Sequence, residues 1–69
     1  MSVGNVVFSA TTERGNVMKL IRINRAMRKE FHRQFYLVLF DKDEYVKKYK
    51  GFSLKKSAMR LLDEWKVLY

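Results

Sequence analysis

Residues 34–40, QFYLVLF, are apolar at every position from Phe35 to Phe40. In a strand, alternation puts Phe35, Leu37 and Leu39 on one face and Tyr36, Val38 and Phe40 on the other. A strand apolar on both faces belongs in the middle of a sheet with both sides covered. That requirement weighs heavily on a chain of 69 residues, because one helix covers only one face. The second face needs another element or a second copy of the chain, so a homodimer is one expected solution. There is no Cys, hence no disulfide to staple a fold near the lower size limit for a single core. One domain, residues 1–69, is expected.

The flanking segments supply partners for this strand. In residues 6–12, VVFSATT, the alternation predicts Val6, Phe8 and Ala10 on one face of a first strand. Glu13-Arg14-Gly15-Asn16 reads as a turn, since Gly and Asn tolerate positive φ. Residues 17–25, VMKLIRINR, return as a second strand with Ile21 and Ile23 on one side and Leu20, Arg22 and Asn24 on the other. Asp41-Lys42-Asp43 is a turn by composition. Tyr45 and Tyr49 fit either a helix or a strand; a short fourth strand is favoured, because a three-residue turn then closes a simple hairpin.

The segment SLKKSAMRLLDEWKVLY is helical by its period. Leu54, Ala58, Leu61, Leu62, Trp65 and Leu68 form its expected apolar stripe, Ser53 its expected N-cap, and Arg60 and Glu64 an i, i+4 ion pair. The fold class is therefore α+β: an antiparallel meander of three to four strands packed on one C-terminal helix, about 53–68. Met18, Met27, Met59 and Trp65 are expected to fill the core rather than to bind a ligand.

Residues 22–33, RINRAMRKEFHR, hold five Arg and Lys against one Glu, supplying half of the chain's formal +8. This run joins the second and third strands. Either it is the tip of a long hairpin, or Asn24 caps a short helix, about 25–32, with Met27 and Phe31 inside. Both arrangements project its charge away from the sheet.

Catalytic and cofactor chemistry find little to work with. The single His32 sits in a basic run with no nucleophile or acid beside it. Asp41, Asp43 and Glu44 could approach one cation, but turns select Asp anyway and the rest of a Ca²⁺ loop is missing. No Gly-rich phosphate loop is present. Neither an enzyme, a metal site nor a cofactor is expected. No apolar stretch approaches the roughly 20 residues of a membrane span. The N-terminal MSVGNVVFSA has no basic region ahead of its short apolar run, so no signal peptide is read and a cytoplasmic setting is expected.

Charge is the remaining functional signal. The sequence pI is about 10.1, and such a field concentrates polyanions. The candidate phosphate contacts fall into two clusters: Arg22, Arg25, Arg28, Lys29 and Arg33, then Lys47, Lys48, Lys50, Lys55 and Lys56, with Arg60 beyond. Phe31 and Tyr36 lie near the first, Tyr45, Tyr49 and Phe52 near the second. Cations interleaved with aromatics suit single-stranded nucleic acid, DNA or RNA, whose phosphates are neutralised while bases stack. The layout is similar to that of several small single-strand DNA binders in which one helix backs a curved four-stranded sheet. The alternative expectation is an interaction protein, of the inhibitor or accessory-factor type found in phages and mobile elements. It would dock on an acidic protein surface or a nucleoprotein complex, its charge steering the encounter.

Overall fold

The computed structural model describes residues 3–69; Met1 and Ser2, which open the N-terminal stretch read above, lie outside the described residues. Strands β1 (Gly4–Thr11), β2 (Val17–Ile23), β3 (Phe35–Phe40) and β4 (Val46–Phe52) precede a C-terminal helix, α2 (Lys55–Leu68). A 3₁₀ turn, Arg25–Met27, and a single turn of helix, α1 (Arg28–Phe31), join β2 to β3. All neighbouring strands pair antiparallel in the order β1-β2-β3-β4. This is the expected α+β meander, and β3 lies inside it; the expected cover on both its faces is met on the α2 side only, where Leu37 and Leu39 are buried, while Tyr36, Val38 and Phe40 stay half-buried on the other.

One face of the sheet lies under α2. Met18 pairs with Leu39 and Leu20 with Leu37, and all four side chains are fully buried. Ala58, Leu62 and Trp65 close this core from the helix, and Met59 and Leu61 pack at its margin. At the far end of α2, the Asn16 side chain donates to the Tyr69 carbonyl over 2.9 Å, and the Glu13 amide donates to the Lys66 carbonyl over 3.0 Å. These bonds tie the helix end to the β1–β2 turn. Gly15 adopts φ 87° in that turn, a conformation that glycine takes without steric penalty.

Several expectations need correction. Val6 does not share a face with Phe8 and Ala10. A bulge at Val7 shifts the register, so Val6 pairs with Ile21 while Phe8 pairs with Leu20; one extra residue exchanges the faces. Ser53 does not cap α2: Leu54 holds that position without a side-chain cap, and the Ser53 hydroxyl instead accepts from Arg33 Nη1 at 3.3 Å. Leu54 and Leu68 drop out of the helix stripe, 64% and 58% exposed: Leu54 precedes the helix, and at its far end Tyr69 packs against the core instead. Among the described residues the Arg60–Glu64 ion pair is not made.

The basic run is not a hairpin tip. The β2–β3 ladder stops at Arg22 and Phe35, and the chain between them coils. The Asn24 carbonyl accepts from the Met27 amide at 2.9 Å, though the Asn24 side chain makes no cap bond. His32, at φ 58°, ends α1 with its amide donating to the Arg28 carbonyl. Phe31 meets the edge of Tyr36 at 5.7 Å between ring centroids, and the Tyr36 hydroxyl donates to the Phe31 carbonyl over 2.6 Å. The arm is thereby pinned against the face of the sheet opposite α2.

Candidate nucleic-acid interface

Register sorts the basic and aromatic residues onto different faces. Lys48 pairs with Leu39 and Lys50 with Leu37, whereas Tyr49 pairs with Val38. Lys48 and Lys50 therefore lie on the side of α2, and Tyr49 lies on the open side with Tyr36 and Val38. Arg22 pairs with Phe35 on the helix side, and Asn5 faces Arg22 from β1.

Three members of the first cluster converge. Arg22, Arg25 and Arg28 line a cleft of about 420 Å³ together with Asn5, Ile23 and Asn24. No carboxylate lines it. Arg28 Nε is buried without a hydrogen-bond partner, a rare state for a guanidinium donor. The sheet explains the gathering: β2 presents Arg22 at its last turn of register, and the 3₁₀ turn and α1 swing Arg25 and Arg28 back beside it. Lys29 is exposed on α1. Arg33 goes elsewhere. It crosses β4 at Gly51, where a Cβ would fall 2.8 Å from Arg33 Cγ and 3.0 Å from the Tyr36 ring, and its guanidinium reaches Ser53.

The second cluster is built differently. Lys48 Nζ lies 5.7 Å from the centroid of the Trp65 ring and 5.5 Å from that of Tyr69, whose hydroxyl it also contacts at 3.0 Å. Lys47 Nζ lies 5.8 Å from the Tyr69 centroid and Lys50 Nζ 5.7 Å from that of Phe52. These lysines flank the edge of the core and keep their charge at its rim. Lys55 and Lys56 are exposed in the first turn of α2. That turn holds no acidic residue, and cations there oppose the positive end of the helix dipole. Among the described residues no ion pair engages any of the ten candidate side chains.

The open face carries a mostly apolar groove of about 520 Å³, lined by Val3, Ile21, Ile23, Phe31, Tyr36, Val38, Val46 and Tyr49 and by one acid, Glu30. Tyr45 and Tyr49 are 72% and 66% exposed. Sequence reasoning missed Asn5 as a neighbour of the arginines. An uncharged residue far along the chain gives no local signal; only the β1–β2 register brings it there.

His32 serves as the left-handed end of α1. One Asp41 carboxylate oxygen accepts from the amides of Asp43 and Tyr45 at 2.9 and 3.0 Å, which accounts for an Asp at the start of this turn. Among the described residues no three His, Asp or Glu side chains gather as a metal site, and no helix is long and apolar enough to cross a membrane. Comparison of the chain with protein-family models, with curated proteins and with solved structures finds no match.

Proposed function

We propose that this chain is a small, non-catalytic module that binds nucleic acid, DNA or RNA, in a cytoplasmic setting. The observation that carries the reading is the cleft of Arg22, Arg25 and Arg28, lined by no carboxylate. Guanidinium groups offer a planar fork matched to phosphate oxygens. Lys55 and Lys56, at the positive end of α2, gain from a nearby anion. Lys47, Lys48 and Lys50 extend the charge along β4. Contacts of this kind position a backbone without reading bases, so sequence specificity is low. The exposed rings of Tyr45 and Tyr49 are available for stacking on a single strand.

Fluorescence anisotropy with a labelled single-stranded oligonucleotide tests this. Log affinity should fall with log salt at a slope of about −0.7 per phosphate neutralised. The double variant Arg25→Glu, Arg28→Glu should bind about tenfold or more weakly at low salt, with a shallower slope and an unchanged circular dichroism spectrum. Absence of binding at low salt would overturn the proposal. Wild-type affinity in the double variant would remove the cleft from it.

A second reading, docking on an acidic protein surface as an inhibitor or accessory factor of phage or mobile-element type, is favoured by the open face. An apolar groove on a cationic chain matches the apolar centre and polar rim of protein interfaces. Under this reading Tyr49→Glu abolishes docking, and charge reversal in the cleft slows association only.

A further inference from the structure

The sheet has two edges, and they differ in charge. β4 carries Lys47, Lys48 and Lys50, a usual guard against strand pairing. β1, GNVVFSAT, carries no charged residue over its eight positions. Each edge has one bulge, at Val7 in β1 and at Lys47 in β4, so bulging does not distinguish them. Val6, Val7 and Phe8 are 53%, 40% and 41% exposed, three consecutive large apolar side chains on an edge whose outer amides and carbonyls face no further strand.

We propose that two copies of the chain pair through β1, edge to edge and antiparallel, joining the two four-stranded sheets into one. The occupant follows from charge. Two chains of formal +8 repel over most of their surfaces, and β1 is the one edge where they meet without opposing lysines. An acidic partner would gain more from β4 or from the arginine cleft, where the cations stand. Antiparallel pairing of a strand with itself has the two-fold symmetry of an isologous dimer. With the axis near Val7 and Phe8, the apolar triplets of the two copies meet across it. The two α2 helices then lie on one side of the joined sheet, and the two open faces become continuous on the other. This differs from stacking the open faces on each other, which would bury Lys19 of both copies; its ammonium lies 5.3 Å from the Phe40 ring centroid on that face. The proposal is independent of nucleic-acid binding, and salt affects the two in opposite directions. Screening weakens phosphate contacts but relieves repulsion between two cationic chains.

Sedimentation equilibrium from micromolar to millimolar chain, in low and in molar salt, tests it on the whole protein without nucleic acid. A monomer–dimer equilibrium that tightens with salt is expected, together with concentration-dependent protection of β1 amides in hydrogen exchange. Val7→Lys should leave a monomer under all conditions, while Val38→Lys, on the open face, should retain the dimer. A strict monomer at millimolar concentration in molar salt overturns the proposal. So does a dimer that protects no β1 amide, and this readout on the unaltered chain stands even where a variant fails to fold.

Discussion

The two faces of the sheet come from the same strands and differ in what covers them. Toward α2 stand Met18, Leu20, Leu37 and Leu39, none with any exposed surface. On the other side stand Val17, Ile21, Tyr36, Val38 and Phe40, half-buried, with Val46 and Tyr49 exposed. The covered face uses side chains unbranched at Cβ, which adapt to a helix. The open face uses β-branched and aromatic ones, which suit a pleated surface by themselves. Apolar composition on two faces therefore does not imply burial on two faces. Within one chain the helix answers the demand of β3 on one side, and the 25–31 arm answers only part of it on the other.

The largest test of this contrast compares neighbours on β3. Leu37→Ala should cost about 2–5 kcal/mol in urea unfolding, since a fully buried side chain leaves a cavity. Val38→Ala, one position on and half-exposed, should cost about 1 kcal/mol or less. Equal losses would mean that the open face is covered in solution. A smaller effect sharpens the role of the arm. Tyr36→Phe removes the hydroxyl that holds the Phe31 carbonyl, at about 1 kcal/mol, and should speed hydrogen exchange in residues 25–33 while leaving α2 unchanged. Unaltered exchange would show that ring packing alone holds the arm. The smallest effect belongs to β4. Lys48→Gln should cost about 0.5–1 kcal/mol through lost cation–π contact with Trp65 and Tyr69, whereas Tyr49→Gln on the open side should stay within about 0.5 kcal/mol.

Much of the fold was legible because its signals are local. The apolar run of β3, the Gly15 turn and the period of α2 each announce an element without reference to the rest. Trp65 and Met18 were legible as core for the same reason. The misreadings all lie where a distant partner decides. Ser53 has the chemistry of a cap, but Arg33 takes its hydroxyl. Val6 follows the alternation of Phe8 and Ala10 until the bulge at Val7, which depends on pairing with β2. Leu54 and Leu68 fit the helix period, yet Leu54 precedes the helix and Tyr69, not Leu68, packs against the core at its far end. The candidate site divides in the same way. Its ten cations are visible as charge, yet their sorting is not: three into a cleft, three along a rim over aromatic rings, Arg33 onto Ser53, and Lys29, Lys55 and Lys56 out on the helices.

The amino-acid order by itself determined the first three strands, the C-terminal helix, the central place of β3 and the excess of positive charge, while it left 44–50 between strand and helix. Each of these follows from periodicity or composition within a few residues. The tertiary structure alone decided which face of β3 the helix covers, that the basic run coils into an arm, and that Asn5 meets Arg22, Arg25 and Arg28. A period of two states which side chains share a side and not which side faces the core; that choice, like every register, is made by residues remote in the chain.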